Sequence, residues 1–243
     1  MSKIPQIKEY EGYPVVTAEK MKYLDLKAST EYGVPQIALM ENAGKGISLE
    51  ILRIIKEELS LETGNSGIIV CAGRGNNGGD GLVTARYLKQ AGARVEIFII
   101  PPREGAYGEL VNENLQKAKE NGIRIETVSR ENVEGLLEIF SKADVLIDAL
   151  LGAGSIGKPS GPVKRVIQLM NKSAKPIAAV DIPSGLSPDT GHHSGVFIMA
   201  KWTFTLGFPK SGLMASHALK NVGKLKIIDI GYPAQLVEEA KQQ

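Results

Sequence analysis

The residues best suited to bind an anion lie in a glycine-rich loop at residues 71–81, which reads CAGRGNNGGDG. Glycines let backbone amides approach a phosphate closely, and a helix that begins at such a loop adds its positive end. Gly73, Gly75 and Gly78 fit the pattern G-x-G-x-x-G, which indicates a dinucleotide site only between a strand and a helix. An apolar segment precedes the loop and an amphipathic one follows, so phosphate binding is predicted. The alternative is a tight turn in which Asp80 only caps a helix.

Two further loops each begin with an aspartate that closes an apolar segment. Asp148 precedes the loop at 152–162, which reads GAGSIGKPSGP, and Asp181 opens the segment DIPSGL at 181–186. A carboxylate at the end of a buried strand is costly unless it is paired, hydrogen-bonded or bound to a metal. An isolated aspartate there is more often a turn former than a catalyst. Because ligands of open α/β sheets bind beyond the carboxyl ends of strands, the three loops are expected to line one cleft.

The strand that follows the glycine-rich loop lacks one feature of ordinary dinucleotide folds. In those folds an acidic residue near the end of this strand binds the ribose. Here the segment ends with Ile100, Pro101, Pro102 and Arg103, and Glu104 lies further into the loop. An ordinary NAD-dependent dehydrogenase is therefore disfavoured.

The elements that must position these loops are strands and helices in alternation from residue 67 onward. The segments predicted to be strands are Gly67–Cys71, Val95–Ile100, Ile123–Val128, Val145–Leu150, Ile177–Val180, Trp202–Leu206 and Leu225–Ile230. Those predicted to be helices are Gly81–Ala91, Glu109–Asn121, Glu131–Lys142 and Val163–Lys172. This alternation predicts a three-layer, Rossmann-like, doubly wound α/β fold with a mostly parallel sheet. No clear helix separates the last two strands, so that edge is expected to be antiparallel.

Two extra helices are predicted before the first strand. Thr17 can cap one that opens at Ala18, and a second follows from Pro35. The second helix is expected to pause at Ala43 and Gly44, where the small residues predict close packing. The apolar stripe of the second helix comprises Met40, Ile47, Ile51 and Ile54. Because these helices are not crossovers, the stripe predicts a homodimer built on them, the alternative being that they cover their own sheet. The chain is predicted to form a single domain over residues 1–243.

Composition narrows the classes of function. The chain has 243 residues, and 29 Lys and Arg residues against 27 Asp and Glu residues give a formal net charge of +2. This near balance, without a basic run, argues against nucleic-acid binding. A single cysteine, Cys71, excludes an intrachain disulfide and a cysteine-based zinc site. No apolar run is long enough to cross a membrane and the N-terminus resembles no targeting signal, so a cytoplasmic protein is expected.

Five motifs, in this order and at this spacing, resemble the NAD(P)H-hydrate epimerase family, the YjeF N-terminal domain. They are LMENAG at 39–44, NNGGDG at 76–81, DALLG at 148–152, DIPSG at 181–185 and TFTLGFPK at 203–210. The resemblance covers the chain from about Val15 to about Tyr232. It implies an epimerase of hydrated NADH and NADPH, damaged cofactors with a hydroxyl at C6, next to the ring nitrogen. The R form would become the S form, which a separate dehydratase then repairs.

The resemblance also implies which residues form the site. The cofactor would contact Asn76, Asn77, Gly78, Gly79 and Asp80, the stretch Gly152, Ala153, Gly154, Ser155, Ile156, Gly157 and Lys158, and Asp181. One potassium ion per subunit would be held by Asn77, Asp148 and Ser184. One carboxylate among amide and hydroxyl oxygens suits a monovalent cation better than a transition metal.

Epimerisation at C6 requires proton transfer as the C–O bond breaks and reforms through a cationic ring. Asp181 is the expected general acid/base, with Lys158 as its partner or as a phosphate contact. His192 and His193 are an alternative pair of proton carriers, although neighbouring histidines in a loop are more often solvated. An alternative of another class is a non-catalytic, nucleotide-binding scaffold domain of the same YjeF type. Neither nucleic acid nor a membrane is an expected partner.

Overall fold

The computed structural model describes residues 7–155, 157–193 and 195–242. A hairpin of two short strands, β1 (Glu9–Tyr10) and β2 (Tyr13–Pro14), lies near the N-terminus. The main sheet has seven strands: β3 (Gly67–Ala72), β4 (Arg94–Ile99), β5 (Arg124–Thr127), β6 (Val145–Ala149), β7 (Ile177–Val180), β8 (Trp202–Leu206) and β9 (Lys224–Ile228). Their order is β5-β4-β3-β6-β7-β8-β9. The chain starts in the middle of the sheet and winds outward in both directions, as the alternation of segments predicts.

All neighbouring strands of the main sheet are parallel, so the predicted antiparallel edge is wrong. Parallel neighbours need a crossover of about a dozen residues or more. Residues 207–223 provide one with a short 3-10 helix, Ser211–Met214, and a single helical turn, α7 (Leu219–Val222). Both pieces are too short to leave a helical period in the sequence.

The helices cover both faces of the sheet, with bounds α1 (Ala18–Thr30), α2 (Gln36–Glu57), α3 (Asn76–Gln90), α4 (Glu109–Glu120), α5 (Leu136–Ser141), α6 (Gly161–Lys172) and α8 (Ala234–Lys241). Successive residues of β3 point to opposite faces. Ile68 and Val70 belong to a core shared with α1 to α4 and α8, whereas Ile69 and Cys71 belong to a core shared with α5 and α6. Among the described residues, no helix has the length and apolar character needed to cross a membrane.

The two N-terminal helices pack on their own chain. The Thr17 hydroxyl accepts a hydrogen bond from the backbone N–H of Lys20 (3.1 Å), which confirms the predicted cap of α1. The predicted pause in α2 is wrong, because the helix is unbroken from Gln36 to Glu57. The close packing predicted at Gly44 is confirmed, since a Cβ there would lie 2.4 Å from Cβ of Val83 in α3.

The apolar stripe of α2 is fully accounted for inside the chain. Its members Met40, Ile47, Ile51 and Ile54 are each at most 4% exposed. Ile47, Ile51 and Ile54 lie in the core shared with the sheet. The stripe therefore gives no support to a second copy of the chain, and the homodimer stays a prediction.

Candidate active site

The three loops do lie around one cleft at the carboxyl edge of the sheet. The glycine-rich loop follows β3, Asp148 lies in β6, and Asp181 directly follows β7; these three strands are neighbours. A cavity of about 1570 Å³ runs along this edge and is lined by residues of all three loops. The expectation of a shared cleft is confirmed.

The glycine-rich loop leads into α3 earlier than predicted. The helix begins at Asn76 rather than Gly81, and Gly75 precedes it without a side-chain cap. Asp80 therefore lies inside the helix, and the alternative in which it only caps the helix is wrong. The first backbone N–H groups of a helix have no intrahelical acceptor, so this end of α3 offers donors to an anion.

The glycines of this loop are required by packing. A Cβ on Gly78 would lie 2.0 Å from the carbonyl oxygen of Gly73, and one on Gly73 would lie 1.9 Å from that of Leu150. A Cβ on Gly79 would lie 2.7 Å from Sδ of Met40. None of these three glycines has a positive φ. Close approach of neighbouring atoms, and not a left-handed conformation, therefore explains why glycine is required at these positions.

Asp148 is a fully buried carboxylate held by backbone and hydroxyl donors. Its Oδ1 accepts from the Ser184 hydroxyl (2.6 Å) and from the N–H of Leu150 (3.2 Å). Its Oδ2 accepts from the N–H of Ser184 (2.8 Å). Burial raises the pKa of Asp148 to about 6, and the hydrogen bonds from Ser184 and Leu150 oppose that rise.

Asn77, near the start of α3, presents a buried carboxamide to the loop after β6. Within the described residues, neither its Oδ1 nor its Nδ2 has a hydrogen-bond partner. Gly152 packs against it, because a Cβ there would lie 3.2 Å from Asn77 Oδ1. An unpaired buried amide costs free energy, so this arrangement is typical of a side chain that awaits a ligand.

Asp181 is held in a strained position by a buried ion pair. Its backbone has φ +65°, a left-handed conformation that non-glycine residues seldom adopt. Lys210 Nζ lies 2.5 Å from Asp181 Oδ1, and the other carboxylate oxygen accepts from the N–H of Ala153 (3.0 Å). Lys210 is only 1% exposed and also donates to the carbonyl of Leu206 (2.8 Å).

Lys210 is the functional residue that the sequence reasoning missed. It ends the motif at 203–210, but that motif was used only to identify the family. Lys158, the expected partner of Asp181, is exposed at the mouth of the cavity and has no described contact with Asp181. A role for Lys158 in binding phosphate stays a prediction.

Two more carboxyl groups surround the Asp181–Lys210 pair. Asp80 is buried, and its pKa lies well above the usual range because of burial first and then the charges of Asp181 and Asp25, with Lys210 opposing. Burial also raises the pKa of Asp25, which accepts a hydrogen bond from the Tyr232 hydroxyl. Three carboxyl groups thus share one ammonium, and their protonation states are coupled.

The remaining predicted residues lie around the mouth of the cavity. Asn76, Gly154, Ser155 and Gly157 line it, and Ile156 lies outside the described residues. His192 and His193 are exposed; the first stacks on His217 and the second on Phe197.

Comparisons with known proteins identify the family of this chain. Residues 36–212 match the family described as YjeF-related protein N-terminus. An NAD(P)H-hydrate epimerase of Elusimicrobium minutum is 38% identical over 224 residues, which cover 92% of this chain and 98% of that protein. A bifunctional NAD(P)H-hydrate repair enzyme of Thermofilum pendens is 37% identical, but this chain spans only 42% of its length. The crystal structure of the yeast protein YNL200c superposes with a TM-score of 0.80 at 26% identity and covers 93% of both chains.

Proposed function

The chain belongs to the YjeF-related N-terminal family, and from this premise we propose that it is an NAD(P)H-hydrate epimerase. It would interconvert the R and S forms of hydrated NADH or NADPH at C6, as a step in repair of the nicotinamide cofactor. The observation that carries the proposal is the buried Asp181–Lys210 pair, which lines a cavity of about 1570 Å³ together with the glycine-rich loop. A non-catalytic scaffold would have no use for a strained, buried ion pair beside a further buried acid.

Epimerisation needs an acid and a base near C6. The C6–O bond breaks as the hydroxyl takes up a proton and leaves as water, the ring becomes a cation, and water adds to the opposite face and loses a proton. Asp80 is suited to give the first proton, because burial raises the pKa of its carboxyl well above the usual range. Asp181, paired with Lys210, is suited to stabilise the cation and to take the proton from the incoming water. The two aspartates exchange roles in the reverse direction.

Lys210 is a positioning residue in this scheme. Its ammonium donates to the Leu206 carbonyl and pairs with one carboxylate oxygen of Asp181. The N–H of Ala153 fixes the other carboxylate oxygen, so the side chain of Asp181 is held from two sides.

The donor set beside the glycine-rich loop fits a potassium ion. We propose that Asn77, Asp148 and Ser184 hold one such ion per subunit, because Asn77 offers an unpaired buried amide oxygen and Asp148 a buried carboxylate. Within the described residues no cluster of three or more His, Cys, Asp or Glu side chains competes for a transition metal. When bound, the ion would supply a fixed positive charge close to the phosphate groups of the substrate.

Three finer expectations belong to the same proposal. A homodimer on the N-terminal helices would have to use the exposed apolar residues Tyr23, Leu26 and Leu49, because the stripe of α2 is buried. A dehydratase would consume the S form, since relatives that combine this domain with further chain are named bifunctional repair enzymes. The epimerase and the dehydratase would both act in the cytoplasm.

The direct test is conversion of purified R-hydrate to the S form, followed by chromatography. We expect acceleration over the spontaneous rate, with faster conversion in potassium than in sodium buffer. No acceleration in potassium would refute the epimerase, and equal rates in the two buffers would refute only the potassium site.

A further inference from the structure

The cavity continues past the glycine-rich loop to a recess at the end of β4. This recess has a volume of about 420 Å³ and is lined by Arg74, Arg103, Glu104 and Tyr107, among others. Arg74 and Arg103 also line the large cavity that contains Asp181 and Lys210. One continuous surface therefore connects the acid/base pair with two arginines.

The two arginines carry charge that the rest of the protein does not neutralise. Within residues 7–155, 157–193 and 195–242, neither guanidinium has an ion-pair or hydrogen-bond partner. Burial raises the pKa of the Tyr107 hydroxyl, and the positive charge of Arg74 opposes that rise. Glu104 contributes the single negative charge of the lining, so the recess is positive overall.

Tyr107 gives the recess a fixed wall. Its hydroxyl donates to the carbonyl of Ile100 at the end of β4 (3.1 Å). The Asn112 side chain donates to the Tyr107 carbonyl (2.6 Å). The loop that carries Arg103 is therefore tied both to the sheet and to α4.

The strand order indicates which part of a dinucleotide would reach these arginines. β4 lies on one side of β3, whereas Asp148 and Asp181 lie on the other side, in β6 and after β7. A dinucleotide with its pyrophosphate at the start of α3 and its nicotinamide ring at Asp181 must place its adenosine over β4. In dinucleotide folds an acid at this place binds the ribose 2′-hydroxyl, and an arginine accommodates a 2′-phosphate.

We propose that Arg74 and Arg103 form a 2′-phosphate subsite, which makes hydrated NADPH a better substrate than hydrated NADH. Two guanidinium groups can each donate two hydrogen bonds to a phosphate dianion. The assignment of the substrate rests on the proposed epimerase, but the binding of a ribose 2′-phosphate does not.

Calorimetry with nucleotide fragments tests the subsite without any turnover. 2′,5′-ADP and 5′-AMP share the adenosine and the 5′-phosphate and differ only in the 2′-phosphate. We expect 2′,5′-ADP to bind at least about tenfold more tightly, a difference of about 1.4 kcal/mol. Arg103→Ala should remove most of this difference and leave the affinity for 5′-AMP unchanged. Arg130→Ala is the matched control, because Arg130 is an exposed arginine in the loop after β5 that does not line the recess.

Two results would overturn the subsite. The first is equal affinity of the wild-type protein for 2′,5′-ADP and 5′-AMP. The second is equal affinity for 2′,5′-ADP and 3′,5′-ADP, which would indicate a general phosphate contact. Kinetics with hydrated NADH and hydrated NADPH separates this inference from the proposed function. Turnover of both hydrates at equal kcat/KM would refute the subsite alone. Selective binding of 2′,5′-ADP without turnover of either hydrate would refute the epimerase alone.

Discussion

Replacement of Lys210 by methionine tests the role of the buried ion pair most sharply. Methionine keeps most of the volume and the apolar stem but removes the ammonium that lies 2.5 Å from Asp181 Oδ1. Because Lys210 is 1% and Asp181 8% exposed, the remaining carboxylate loses its counter-charge at a place with little access to solvent. Removal of one partner from a buried pair costs about 3–5 kcal/mol of folding stability.

The same substitution should reduce epimerisation at pH 7 by about 10²–10⁴-fold, the usual contribution of a general acid/base group. Denaturant unfolding monitored by circular dichroism, together with the turnover at pH 7, provides both measurements.

The double variant Lys210→Met, Asp181→Asn distinguishes stability from catalysis. It removes both charges, so it should regain most of the lost stability while remaining inactive. Lys142→Met is the surface control, because Lys142 pairs with Glu138 on an exposed face of α5 and its loss should change neither quantity measurably. Wild-type-like turnover in Lys210→Met, or a double variant that stays as unstable as the single one, would contradict the reasoning.

Three further predictions concern the fold and the ion site. Without potassium, the protein should become less stable as the pH rises from about 4 to about 6. The reason is that the pKa of Asp148 is about 6 in the folded state and 3.8 ordinarily, so ionisation of its carboxyl favours unfolding. The expected loss of folding free energy is about 3 kcal/mol. Urea unfolding of Asp148→Asn should lack that loss, and an identical pH dependence in both proteins would contradict it. Gly78→Ala should lower the melting temperature by several degrees, because the new Cβ would lie 2.0 Å from the Gly73 carbonyl oxygen. Gly64→Ala is the control and should leave the melting temperature unchanged, because a Cβ there would have no neighbour within 4 Å. Equal melting temperatures of the two variants would refute the packing argument. Light scattering should give about twice the 26.1 kDa chain mass, and Leu26→Glu should reduce it to one chain; a wild-type monomer would refute the dimer.

Much of the fold could be predicted from local patterns, because the strands of a covered parallel sheet are continuous apolar segments. The prediction of β7 and β8 has the observed bounds, Ile177–Val180 and Trp202–Leu206. The direction of β9 could not be predicted, since the crossover before it contains only a 3-10 helix and one turn of α7.

The start of α3 was missed for a different reason. Asn76 to Asp80 have low helix propensity, and two of these residues are glycines. The helix is set there by tertiary packing, in which Gly78 lies on the Gly73 backbone and Gly79 on Met40. Local propensity contains no information on such contacts.

The carboxylates of the site were predictable and their cation was not. An aspartate that closes an apolar segment is conspicuous; Asp181 lines the cleft as expected, and Asp148 is buried behind it at the end of β6. A lysine in a sequence is normally exposed, so nothing local indicates that Lys210 is buried beside an acid. Only the return of the chain after β8 brings it to Asp181, which follows β7.

The measurement that most directly tests the central claim is conversion of R-hydrate in H₂¹⁸O, followed by mass spectrometry of the S product. If the C6–O bond breaks between Asp80 and Asp181, each epimerised molecule will contain one ¹⁸O atom. Asp181→Asn should remain folded, and its rate of conversion should be about 10²–10⁴-fold lower. Inversion at C6 without ¹⁸O, or an Asp181→Asn variant that keeps more than about half of the wild-type rate, would contradict the account.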